Sequence, residues 1–203
     1  MEAHAVAVEH AHGPPEAHQS SRIDRQTLGI LLFIVSEVML FGAFFASYFF
    51  LRVVANVGPW PPEGFEIPKA IAGVNTAILI SSSFTVHYAL VSIKRGNRRG
   101  LIAGLGATWL LGFTFLFIQF NEYVHIGFSA RDEAFGTIFY GLTGLHGAHV
   151  TVGLILLAMA NIRAWRGHFT PEPKKHLGVE VPGIYWHFVD VMWIIVFTTV
   201  YIL

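Results

Sequence analysis

Apolar residues in this chain come in long runs with few interruptions. Residues 28–54, 68–93, 101–119, 136–162 and 181–203 are dominated by aliphatic, aromatic and small side chains, and short segments holding Lys, Arg, Pro or Gly separate them. About 20 mainly apolar residues cross the roughly 30 Å of hydrocarbon in a bilayer, where a helix satisfies its own backbone groups. The pattern therefore predicts an all-α membrane protein with five transmembrane helices. A soluble helical bundle would show polar stripes at helical spacing, but residues 101–119 carry no ionisable side chain and residues 28–54 carry only the charges of Glu37 and Arg52.

Residues 1–26 differ in kind. They hold His4, His10, His12, His18, Glu2, Glu9, Glu16 and the pair Pro14-Pro15, with no apolar run preceded by positive charge. This reads as a disordered His-rich tail rather than a signal peptide, leaving residues 27–203 as a single transmembrane domain. Orientation follows from Lys and Arg, which favour the cytoplasmic side. Ten of the 13 fall on the face shared by the N-terminal tail, the second–third loop and the fourth–fifth loop; Arg52, Lys69 and Arg131 fall on the other. The N-terminus is thus expected in the cytoplasm and the C-terminus on the outer face.

Composition narrows the chemistry. The 203 residues are 54% hydrophobic and 13% charged, with a formal net charge of +0; a soluble domain carries about 25% charged residues. Without a net basic field there is nothing to draw nucleic acid. The absence of Cys removes disulfides, thiolate metal sites, iron–sulfur clusters and cysteine nucleophiles, so metal chemistry would rest on the 11 His and the carboxylates.

Ionisable groups deep in a bilayer need a partner, a proton or a wet cavity. Glu37 lies about 13 Å into the first span, near the midplane. A protonated acid that donates a hydrogen bond suits that depth as well as an anion does, and its role is either an inter-helix bond or proton transfer. The fourth span carries Thr143-Gly144-Leu145-His146-Gly147-Ala148-His149, with two His on one helix face and two Gly that would admit a close neighbour. Satisfied His pinning helix contacts suit it better than metal or haem ligation, because no Glu-x-x-His pair falls inside a span. Glu122-Tyr123-Val124-His125 has that spacing but lies beyond the third run. The fifth span places His187 and Asp190 at a depth similar to Glu37. Glu37, His146, His149, His187 and Asp190 are therefore expected to satisfy one another inside the bundle. Arg163, Arg166, His168, Lys174, Lys175 and His176 form a basic cluster of the kind that holds anionic headgroups, while Trp60, Trp165 and Trp186 suit interfacial anchoring. No metal site and no catalytic residue is expected.

Several of these segments carry a resemblance. Tyr185-Trp186-His187-Phe188-Val189-Asp190-Val191-Met192-Trp193 closely resembles the closing helix of subunit III of the haem-copper terminal oxidases, the cytochrome c oxidases and their quinol-oxidising relatives. Ser36-Glu37, Trp60-Pro61-Pro62, Asn75-Thr76, Glu122-Tyr123, Thr143 to Val150 and His168-Phe169-Thr170 resemble further signatures of that family, in family order. The resemblance runs from about residue 27 to the end and is similar to the short five-span bacterial kind, which lacks the first two spans of the mitochondrial type.

This resemblance implies a multi-pass subunit of a bacterial inner-membrane respiratory complex. Such a subunit has no redox centre of its own: haems and copper reside in partner subunits I and II, and further small subunits are possible neighbours. It implies direct contact with subunit I, bound phospholipid, a buried carboxyl at Glu37, headgroup contacts at Arg163 and His168, and support for proton uptake. The Ser36-Glu37 pair is more similar to the cytochrome c branch than to the quinol branch. A proton-coupled transporter would use Glu37 and Asp190 but should show broken helices or internal symmetry, neither of which the sequence displays. A b-type haem protein would use His87, His146, His149 or His187 as axial ligands.

Overall fold

A computed structural model describes residues 24–55, 58–65, 67–170 and 176–203. The expected His-rich tail, apart from its last three residues, and the loop lysines Lys174 and Lys175 lie outside the described residues. Five helices are long and apolar enough to cross a membrane. Helix α1 spans Arg25–Phe49 and continues as a π-helical turn over Phe50–Val54; α2 spans Lys69–Lys94, α3 Arg98–His125, α4 Glu133–Trp165, and α5 Leu177–Phe197, which continues as a π-helical turn over Thr198–Ile202.

Local chemistry sets several of the boundaries. The Asp24 carboxylate accepts from Gln26 N at 2.9 Å and the Asn97 side chain from Gly100 N at 3.0 Å, so α1 and α3 start on N-caps. Helices α2 and α4 end alike: Gly96 (φ +72°) and Gly167 (φ +75°) turn left-handed, and the following N–H reaches back to Ser92 O at 2.9 Å and Arg163 O at 3.1 Å. This Schellman closure satisfies carbonyls that would otherwise be orphaned at the helix end.

Helices α2, α3, α4 and α5 form a closed ring, each touching the next and α5 returning to α2, while α1 leans on α4 and α5 from outside. Small residues set the tightest spacing. A Cβ on Gly104 would lie 2.8 Å from Ala89 Cβ and 3.0 Å from that residue's backbone, which brings α2 and α3 almost into backbone contact. The Trp186 indole fills the ring: Cβ atoms on Gly112 and Gly153 would lie 2.5 and 2.7 Å from it. Its Nε1 donates to Ser82 Oγ at 2.8 Å, and Trp193 Nε1 donates to Thr76 Oγ1 at 2.9 Å.

Two sequence expectations change here. Trp186 is fully buried, so it is a core residue and not an interfacial anchor, whereas Trp165 is exposed. The glycines that admit a close neighbour include Gly104, Gly112 and Gly153, not Gly144 or Gly147. Gly144 has nothing within 4 Å of its Cβ position and Gly147 has only the tip of Leu116, at 3.8 Å.

Helix α1 is the outlier in packing. Phe41 and Tyr48 are its buried residues, and Leu28, Leu32, Met39, Phe50 and Val53 are among its many exposed apolar side chains. Such a face is stable against lipid or another apolar protein surface, not against water.

Candidate functional site

Four of the five polar residues expected at mid-membrane resolve into two tied clusters, and the fifth stands apart. In the first cluster, Glu37 Oε2 on α1 lies 2.9 Å from His149 Nε2 on α4. His149 Nδ1 lies 2.8 Å from Leu145 O, a carbonyl that can only accept, so Nδ1 carries the proton. Nε2 then either accepts from a protonated Glu37 or, protonated itself, donates to the carboxylate. One proton shared across this bond is what the pair can hold or pass on. Ser36 Oγ donates to Phe33 O at 2.7 Å and lies 3.3 Å from Glu37 Oε1, and Tyr185 OH donates to His149 O at 3.2 Å. The pair is largely, though not fully, covered, with side chains 17% and 10% exposed.

The second cluster joins α2 to α5. Ser83 Oγ donates to Asp190 Oδ2 and lies 3.2 Å from His187 Nδ1. A hydroxyl has one proton to give, so with Asp190 accepting it, His187 Nδ1 must donate to Ser83. Asp190 Oδ1 is buried without a partner.

His146 belongs to neither cluster. It is fully buried, both ring nitrogens lack a hydrogen-bond partner, and it packs edge-on to Phe115 (5.6 Å between centroids) and against Trp193 (4.7 Å). The expectation that all five residues satisfy one another is therefore corrected. The i,i+3 spacing of His146 and His149 separates them by about 60° around α4, enough to send one ring to α1 and the other into the aromatic core.

A third polar group lies at Glu122, which the sequence pattern places beyond the third span. Helix α3 runs to His125, six residues beyond the expected end, so Glu122 lies within it. Glu122 is 5% exposed and its Oε1 accepts from Tyr201 OH at 2.7 Å, while Oε2 has no partner. Beside it, Tyr123 OH donates to Thr143 Oγ1 at 2.8 Å. The spacing Phe115, Gln119, Glu122 places all three on one face, a periodicity that would have extended the span.

At the other end of the bundle the C-terminus of α4 meets the N-terminus of α5. The Arg163 guanidinium carbon lies 5.4 Å from the Phe169 ring centroid, and His168 is exposed beside it. Lys94 Nζ and His176 Nε2 lie 3.0 and 3.3 Å from Glu180 Oε1, which ties α2 to the start of α5.

A sequence profile described as cytochrome c oxidase subunit III matches residues 10–203. The chain belongs to the cytochrome c oxidase subunit III family. Relatives agree with that placement. Cytochrome c oxidase subunit 3 of Thermostichus vulcanus is 44% identical over 98% of this chain and 94% of its own length. The subunit 3 of Synechocystis is 40% identical over 94% of this chain and 81% of its own. That of Arabidopsis thaliana is 41% identical over 85% of this chain and 66% of its own. In this subunit III family member, no group of three or more His, Asp or Glu side chains among the described residues is arranged to hold a metal ion.

Proposed function

We propose that this chain is subunit III of a cytochrome c oxidase in the bacterial inner membrane: a non-redox helical subunit that packs beside subunit I, holds phospholipid and supports proton uptake. Subunits I and II supply the haems and copper. Membership in the subunit III family across residues 10–203 carries this reading. The names of the relatives favour cytochrome c over quinol as the electron donor.

In this role residues 27–203 act as one transmembrane domain with the N-terminus in the cytoplasm, the orientation favoured by ten of the 13 Lys and Arg. Glu37 and His149 share a hydrogen bond in a part-covered position, where they hold a proton beside the proton-conducting neighbour. Arg163 and His168 attract a phospholipid headgroup at the α4–α5 junction. The exposed apolar face of α1 is available for lipid and the adjoining subunit.

Affinity purification of the tagged chain from its native membrane tests this reading. The expected result is co-purification with haem- and copper-bearing polypeptides, and a Glu37→Gln complex that keeps its haem but takes up protons more slowly. A chain that purifies alone, or that carries haem itself, overturns the reading.

A further inference from the structure

A cavity lies away from the polar clusters, in the groove between α3 and α4. It has a volume of about 580 Å³, within the range of small-molecule sites. Gly106, Trp109 and Leu110 on α3 and Ala158, Asn161 and Ile162 on α4 line it, with Arg166 at the end where α4 closes. Arg166 closes α4, and Asn161 lies five residues earlier, about 7 Å deeper along the axis.

Among the described residues the polar side chains lining this groove have no partner. Asn161 Oδ1 is buried without a partner, and Nδ2 is the nearest atom, at 3.7 Å, to where a Cβ on Gly106 would project. Among the described residues the Asn161 amide makes no hydrogen bond and Arg166 makes no ion pair. Arg98, by contrast, is engaged: Nε donates to Ala164 O at 3.1 Å and Nη2 to Trp165 O, so carbonyls ending α4 are held by Arg98 and not by Arg166.

From the C-terminal end of α4 inward the groove thus offers a guanidinium, an amide about 7 Å below it, and then the apolar Ala158 and Leu110. A phospholipid presents the matching order of phosphate, ester carbonyl and acyl chain. We propose that the α3–α4 groove is a binding site for one anionic phospholipid, with its phosphate on Arg166, an ester carbonyl accepting from Asn161 and an acyl chain along Leu110 and Ala158. The site is separate from the one at Arg163 and His168, which turns toward Phe169 and Gly178 beside α5. It rests on the membrane reading of the five helices, not on the lipid role of Arg163.

Native mass spectrometry of the purified complex in mild detergent, with phosphatidylglycerol titrated back after delipidation, tests the proposal. Gly106→Leu fills the groove and is expected to remove one retained phospholipid. Arg166→Gln is expected to weaken phosphatidylglycerol binding about fivefold, the worth of one Arg against an anionic lipid. Arg163→Gln removes a different lipid, so its failure sinks only the α4–α5 site. Equal lipid counts in the parent and Gly106→Leu complexes overturn the proposal, as does displacement of the lipid by inorganic phosphate. If Gly106→Leu fails to assemble, an unchanged phosphatidylglycerol affinity in Arg166→Gln overturns it.

Discussion

Glu37 Oε2 and His149 Nε2, 112 positions apart in sequence, lie 2.9 Å apart and fasten the thinly packed α1 to α4. Replacing His149 with Leu strands the Glu37 carboxyl and is expected to cost about 1–3 kcal/mol. Glu37→Gln keeps a hydrogen-bonding side chain of the same size, and its cost is expected to stay below about 1 kcal/mol. Thermal unfolding of the purified complex measures both, and equal losses would show that the bond does not stabilise α1.

Trp186 sits in a slot whose two sides are Gly112 and Gly153. Adding one methyl at either glycine overpacks the slot, with an expected loss of about 1–3 kcal/mol. A smaller ring should relieve the clash, so Gly153→Ala combined with Trp186→Phe is expected to cost less than the sum of the single changes. A double-mutant cycle on unfolding free energies reads that coupling, and strict additivity would argue against the slot.

The α2–α3 contact and the outer face of α1 give opposite expectations for one type of change. Gly104→Val drives its side chain into the Ala89 backbone and should lower stability by more than about 1 kcal/mol. Gly42, with nothing within 4 Å of its Cβ position, should accept Ala with a change within about 0.5 kcal/mol. Comparing melting temperatures of the two isolated variants checks the contrast.

Tyr201 donates the hydrogen bond that partners the buried Glu122 carboxyl, whose second oxygen has none. Tyr201→Phe should therefore destabilise by about 1–3 kcal/mol, and adding Glu122→Leu should recover part of the loss by removing the stranded group. Hydrogen exchange at the ends of α3 and α5 would localise the effect; protection unchanged by Tyr201→Phe would contradict it.

How much of this was legible in sequence depends on which force decides each feature. The five helices follow from apolar run length, because lipid leaves the backbone no alternative. Glu37, His149, His187 and Asp190 stood out because ionisable groups are rare in such runs. Their pairing was not legible. Ser83, which joins His187 to Asp190, is an ordinary helix serine until α2 and α5 are placed side by side. Trp186 looked interfacial from its place near the start of the fifth run, and its burial depends on glycines 33 and 74 residues away in α4 and α3. The apolar run stops at Gln119, so it sets Glu122 outside the span, although the helical period continues through it.

Helix α4, at 33 residues, is about 50 Å long, well beyond the roughly 30 Å of an ordinary hydrocarbon core. The excess has to be absorbed by tilt, by ends that stand in the headgroup layer, or by a locally swollen bilayer. Acyl-chain length in the surrounding membrane would then set the angle at which this rod stands, and with it how squarely the whole ring meets its neighbours.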